Sequence, residues 1–229
     1  MSSLTEQLIK ATIRGDIATV KAAIAANVEI DALGSGQMNA LMWASAEKHL
    51  EIVKILLENN ADVNLKNSSG YTALIYAVES GNREIIDLLL DRGANLSDRN
   101  QYQETVLMSV SRYGYTDLIA KMLALGADLN ATNKIGDTAL YLAVDNGQVE
   151  TVKLLIANGS EVNTQNIGGW TPLMMASARG DLEIISLLLE NGADFRPKNR
   201  WGDTALAEAK KSFNSRSAVA LLQEAGAIE

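Results

Sequence analysis

The residues able to carry out acid–base, nucleophilic or metal chemistry are few in this chain. There is one histidine, His49, and no cysteine. A serine-type nucleophile needs an imidazole base, and most zinc sites need several His or Cys ligands. His49 lies in Glu47-Lys48-His49-Leu50-Glu51, a polar stretch between two apolar segments, and is expected to be a solvent-exposed turn residue. The phosphate-cradling pattern Gly-x-x-x-x-Gly-Lys is absent, and Gly34-Ser35-Gly36 lacks the third glycine and the preceding strand of a dinucleotide site. Asp181 and Glu183 fall where a helix starts and carry no acid–base signature. The sequons at Asn67, Asn95, Asn130 and Asn158 would need a secretory route. The absence of thiols excludes disulfides and suits a reducing compartment. These features predict no catalytic residues, no cofactor and no bound metal, hence no enzyme.

Composition narrows the class further. The 229 residues are 47% hydrophobic and 21% charged, which is ordinary for a folded chain. The net charge is −8 and the isoelectric point about 4.8, against the usual character of nucleic-acid binders. Met1-Ser2-Ser3-Leu4-Thr5-Glu6-Gln7 does not read as a signal peptide, and no apolar run is long enough for a membrane span. The expectation is a cytoplasmic monomer that binds neither nucleic acid nor membrane.

What remains is recognition chemistry, and its placement depends on a repeat. Thr72, Thr105, Thr138, Thr171 and Thr204 are each 33 residues apart, and each begins a Thr-x-Leu tripeptide. Asn39-Ala40-Leu41 lies one step upstream. Gly15, Gly81, Gly114, Gly147 and Gly180 follow the same period, with Lys48 in the gap. So do Gly93, Gly126, Gly159 and Gly192, with Asn27 and Asn60 upstream. Asn tolerates the left-handed backbone that Gly otherwise supplies, so the exchange marks a helix end. Each unit therefore reads as a polar turn, a Thr-capped helix, a second helix with an apolar stripe such as Val149, Val152, Leu154, Leu155 and Ile156, and an extended lead into the next turn. Fourteen helices are expected, from 5–13 to 216–224.

The segment from Gly168-Gly169-Trp170-Thr171-Pro172-Leu173 through Asn191-Gly192-Ala193-Asp194 closely resembles the ankyrin repeat, whose period is 33. The resemblance extends over residues 4 to 228 and has a bacterial look. It implies an all-α fold, an α-solenoid of stacked helix-turn-helix units with β-turn or hairpin loops. One domain over 1–229 is expected: an N-terminal capping repeat 4–33, repeats 34–66, 67–99, 100–132, 133–165 and 166–197, and a C-terminal capping repeat 198–229. The family often places His where this chain has Met42, Ile75, Met108, Tyr141, Met174 and Ala207. The hydrogen bonds that such a His makes between loops must be absent or replaced.

The resemblance also implies a protein or peptide partner, held in the groove formed by the turn tips and first helices. The aromatic residues agree with that. All nine Tyr and Trp residues fall in a turn, a first helix or the loop that ends it, and Tyr, Trp and Arg dominate binding hot spots. The expected partner-binding residues are Tyr71, Tyr102, Arg112, Tyr113, Trp170, Arg179, Arg200 and Trp201, with Ile135 and Ile167 as lesser candidates. Trp43, Tyr76 and Tyr141 are expected in the core between repeats. From Arg196 to Arg216 six basic and two acidic residues give a local charge of +4, leaving −12 on the rest. This segment is read as a solvated cap, the alternative being a surface that steers a partner of complementary charge into register. The leading expectation is a scaffold or adaptor. The alternatives are an assembly factor or inhibitor of one protein and, more distantly, an enzyme or a nucleic-acid binder.

Overall fold

The structure, a computed structural model, describes residues 3–34 and 36–228. Among the described residues there are fourteen α-helices and no strand. Each expected helix is present, with its ends within two residues of the expectation. Two compact units are formed, residues 1–101 and 102–229.

The first unit contains α1 (Ser3–Arg14), α2 (Ile17–Ala25), α3 (Ala40–Ala46), α4 (Leu50–Glu58), α5 (Ala73–Ser80) and α6 (Arg83–Asp91). Consecutive helices pair as α1 with α2, α3 with α4 and α5 with α6; first helices then stack on first helices and second on second. Side-chain caps define the starts. Asn39 Oδ1 accepts from the Met42 amide at 2.9 Å, and Asn82 Oδ1 from the Ile85 amide at 3.0 Å. α3 and α5 are short and buried over most of their length, and α3 lies between α1 and α5. Ala44 and Ala77 are fully buried there, and their small side chains let the backbones approach. The second helices supply the larger apolar groups: Ile52, Val53 and Leu56 in α4, and Ile85, Ile86 and Leu89 in α6.

The second unit repeats the scheme with α7 (Val106–Tyr113), α8 (Thr116–Ala124), α9 (Ala139–Asp145), α10 (Val149–Ala157), α11 (Pro172–Arg179), α12 (Leu182–Glu190), α13 (Ala205–Lys211) and α14 (Ser215–Glu224). Thr105, Thr138, Thr171 and Thr204 cap the first helices. Pro172 occupies the first turn of α11, where its missing N–H costs nothing. Ala143, Ala176 and Ala209 are fully buried at equivalent places, with Val110 one unit earlier.

Polar side chains stitch adjacent repeats after α2, α4, α8 and α10. Asp31 accepts from the Asp62 amide and Asn64 from the Asn95 amide. In the second unit Asn130 accepts from the Glu161 amide and Asn163 from the Asp194 amide. A second stitch starts at the N-cap of the second helix. Gln148 donates to Arg112 O at 3.2 Å, and Asn214 to Gly180 O at 2.9 Å. His49 belongs to this set. It is half-buried at the start of α4, its Nε2 lies 3.3 Å from Ile13 O, and a Cβ on Gly15 would stand 2.9 Å from its Cε1. The histidine read from sequence as a solvent-exposed turn residue is thus a tie between repeats.

Candidate functional site

Each first helix from α3 onward is preceded by a tight turn, and most of these turns are built on an asparagine. Asn133 Oδ1 accepts from the amides of Ile135 at 3.0 Å and Asp137 at 2.9 Å. Asn166 does the same for Gly168 and Trp170, and Asn199 for Trp201 and Asp203. A short side chain that binds its own following backbone in this way fixes the turn locally. In the first unit Asn67 serves Ser69 and Tyr71 identically. The residue three places on adopts a left-handed backbone, as at Gly136 (φ 84°) and Gly169 (φ 75°), but also at Gln103 (φ 59°). Gly136 has a further reason: an added Cβ would lie 3.0 Å from Asn166 Cα in the next turn.

The loop bonds usually made by the family's His are replaced by this asparagine and its partners. Tyr76 Oη accepts from Asn67 Nδ2, Glu208 from Asn199 Nδ2 at 3.1 Å, and Asp137 from Asn166 Nδ2 at 2.8 Å. The Asp137 carboxyl is buried, and that burial pushes its pKa above the usual carboxylate value. Burial likewise raises the Tyr141 phenol. Tyr141 is core, as expected, while Trp43 and Tyr76 are half-buried.

Within the second unit successive turns are joined by backbone bonds: the Lys134 amide to Tyr102 O at 2.8 Å, the Ile167 amide to Ile135 O at 2.9 Å, and the Arg200 amide to Gly168 O at 2.9 Å. The turn tips therefore form one continuous row. Its side chains are large and in solvent: Tyr102 is 53% exposed, Ile135 49%, Ile167 76% and Trp201 60%. Trp170 stands edge-on to Trp201, with 6.3 Å between ring centroids. The Arg200 guanidinium lies 4.2 Å from the Trp201 ring centroid, a cation–π contact. Lys134, Lys198 and Arg200 are exposed, and among the described residues none of them is paired with a carboxylate. Beside the last turn, Lys198, Lys210 and Lys211 surround Leu206 and Ala207 in an open recess of about 590 Å³.

The eight residues singled out from sequence do not form one patch. Tyr102, Trp170, Arg200 and Trp201 lie in the row, and the last three touch. Tyr113 is at the far end of α7, 41% exposed and stacked on Tyr115 with ring centroids 5.7 Å apart. Arg112 is paired with the Glu104 carboxylate. Arg179 bonds Asp181 at 2.7 Å and donates to Asp145 O at 2.6 Å, so its guanidinium links the ends of two first helices. Tyr71 belongs to the first unit and lies half-buried against Tyr76, ring centroids 5.4 Å apart. Ile135 and Ile167, the lesser candidates, are in the row. Sequence reasoning missed Lys134 and Lys198, and it missed the asparagines that build the turns. Their signal was present: Asn67, Asn100, Asn133, Asn166 and Asn199 follow the 33-residue period. Among the described residues no group of three or more His, Asp or Glu side chains is placed to hold a metal ion, and no helix is long and apolar enough to cross a membrane.

Comparison with known proteins gives one family. The family model described as ankyrin repeats (3 copies) matches residues 8–100, and two described as ankyrin repeats (many copies) match residues 89–143 and 143–189. No curated protein matches the chain. Among solved structures, the human ASB11 ankyrin repeat domain is 27% identical over 96% of this chain and 98% of that one, with a TM-score of 0.81. The ankyrin repeat domain of Bcl-3, a member of the IkappaB protein family, is 28% identical over 95% and 97%, with a TM-score of 0.78. An ankyrin repeat domain from Acinetobacter baumannii AYE is 32% identical over 82% of this chain and 98% of that one, with a TM-score of 0.73. The chain belongs to the ankyrin-repeat family.

Proposed function

We propose that this protein is a binding module for another protein, a scaffold or adaptor, and that it takes its partner on the turns and first-helix ends of the second unit. The ankyrin fold is commonly a protein–protein interaction module. The observation that carries the assignment here is the row of exposed Tyr102, Ile135, Ile167 and Trp201 on backbone-linked turns. Large apolar side chains displayed together on a rigid frame cost hydration when free and release it when covered. Aromatic residues also bring contact area at low entropic cost. Trp170, Trp201 and Arg200 form the centre of the surface, with Tyr102 along the row. Tyr113, Arg112 and Arg179 form a secondary contact at the other end of the first helices. Tyr71, half-buried, contributes least.

The test is capture of partners from a cell lysate by the wild-type chain and by the variant Tyr102→Ala/Tyr113→Ala/Trp170→Ala/Trp201→Ala, with bound proteins identified by mass spectrometry. A protein retained by the wild type and lost by a variant of unchanged helicity supports the surface. Retention of the same proteins by the variant refutes it.

A further inference from the structure

The chemistry of the partner can be read from the charge that accompanies the aromatic row. We infer that the row takes an acidic peptide segment whose apolar side chains pack on the turn tips; this rests on the binding surface proposed above and specifies its ligand. The two units carry equal net charge, −4 each when the residues on either side of 101/102 are counted. Total charge therefore does not decide what approaches the row, but local charge does. In the second unit the exposed charges at the tips are Lys134, Lys198 and Arg200, all basic. The acids nearby are already engaged: Glu104 with Arg112, Asp137 buried under Asn166, and Asp203 with Lys211 at 2.8 Å. The row thus presents positive charge to solvent from a chain that is otherwise acidic.

Arg200 makes the combination sharper. Its guanidinium lies on the Trp201 ring, so a carboxylate that meets Arg200 brings its neighbouring side chains against Trp201. A planar guanidinium of this kind prefers a carboxylate in two-point contact. In the recess beside the same turn Lys198 shares the lining with Leu206 and Ala207, while Lys211 is held by Asp203 and Glu208. An acidic segment without apolar residues would leave the exposed rings in water. A basic one would meet like charge at each tip, and like charges juxtaposed across an interface are a strong discriminator. An RNA strand would satisfy the lysines and the rings but not Ile135 and Ile167, whose exposed aliphatic side chains offer no flat face for a base to stack on.

The test uses the intact chain and a displayed library of random dodecapeptides as the probe. Selected peptides are expected to be enriched in Asp and Glu interleaved with Leu, Phe or Trp. Their affinity should fall at least tenfold for Lys134→Glu/Lys198→Glu/Arg200→Glu, and to a smaller degree for the neutral Gln counterpart. It should also weaken several-fold between 50 and 300 mM salt, the range over which exposed charges become screened. Both variants alter exposed side chains, and thermal melts check that they remain folded. Neutral or basic peptides that still depend on Trp201 would overturn the acidic chemistry while leaving the surface standing. An absence of enrichment, or selected peptides indifferent to Trp201→Ala, would overturn both. Stronger retention of an oligo-uridine probe than of any peptide, lost on charge reversal, would overturn the assignment of a peptide ligand.

Discussion

The turns of the two units share a scaffold and differ in what they display. Asn67 in the first unit and Asn133, Asn166 and Asn199 in the second hold their turns through the same pair of backbone amides. The turn-to-turn backbone bond is also shared: Gln101 donates to Ser69 O at 2.7 Å in the first unit, as Lys134 does to Tyr102 O in the second. Yet the residues at the tips are Ser68 and Ser69 in one unit and Lys134 and Ile135, or Arg200 and Trp201, in the other. Among the described residues, every exposed large hydrophobic at a turn tip belongs to the second unit; those of the first unit, Ile13 and Ile17, lie at a helix end. The framework fixes geometry with asparagines turned onto their own backbone, and two positions per turn are left to vary.

That comparison can be broken or sharpened by substitution. The largest contrast concerns binding. Trp201→Ala should weaken partner affinity by about 2 kcal/mol or more, the cost of a hot-spot aromatic, whereas Tyr71→Ala should change it little; isothermal titration on both variants decides. Next come the shared asparagines. Asn166→Ala and Asn67→Ala should each lower unfolding free energy by about 1–3 kcal/mol, because each leaves two turn amides without their acceptor, and only Asn166→Ala should also impair binding. Equal binding losses would mean that the two rows are equivalent.

Smaller effects test the framework itself. Thr151 is buried at the position filled by Ile52, Ile85, Leu118 and Ile184, and its hydroxyl has no hydrogen-bond partner. Thr151→Val should raise unfolding free energy by about 1 kcal/mol through removal of that unsatisfied group, with binding unchanged. The last effect is one of sign. Burial raises the folded-state pKa of Asp137, so its contribution to stability is present in acid below the ordinary Asp value of 3.8 and is lost as pH rises through the folded value. The stability of Asp137→Asn relative to wild type should therefore increase from acid to neutral pH. A difference that is flat with pH, measured by denaturant titration, would contradict the burial argument.

The fold was legible because its signals recur. A Thr cap, a left-handed Gly and an apolar stripe are each weak alone, but at one period they locate fourteen helices. Ala176 and Leu188 sit in the core for reasons visible in spacing alone. The site was only partly legible. Turn position marked Tyr102, Trp170 and Trp201 for the surface, since no core demand acts there, and in the structure Tyr102 and Trp201 are exposed and Trp170 is half-buried. Hot-spot composition says nothing of internal partners, so the pairing of Arg112 with Glu104 and of Arg179 with Asp181 and the Asp145 carbonyl was not legible. His49 misled for a similar reason: its carbonyl partner, Ile13, is 36 residues away and no local pattern announces it. Lys134 was passed over because isolated surface lysines are ordinary, and Lys198 was counted in the basic segment read as a solvated cap; the structure puts both beside the aromatic row.

The most direct test replaces the display while keeping the frame. In a chimera carrying Lys134→Ser, Ile135→Ser, Ile167→Ser, Arg200→Ser and Trp201→Ser, the tips of the second unit acquire the serine character of Ser68-Ser69, and every turn asparagine and glycine stays in place. Affinity for the captured partner is then measured alongside the melting temperature. The account predicts at least a hundredfold loss of affinity with melting changed by only a few degrees. Full affinity in a folded chimera would contradict it.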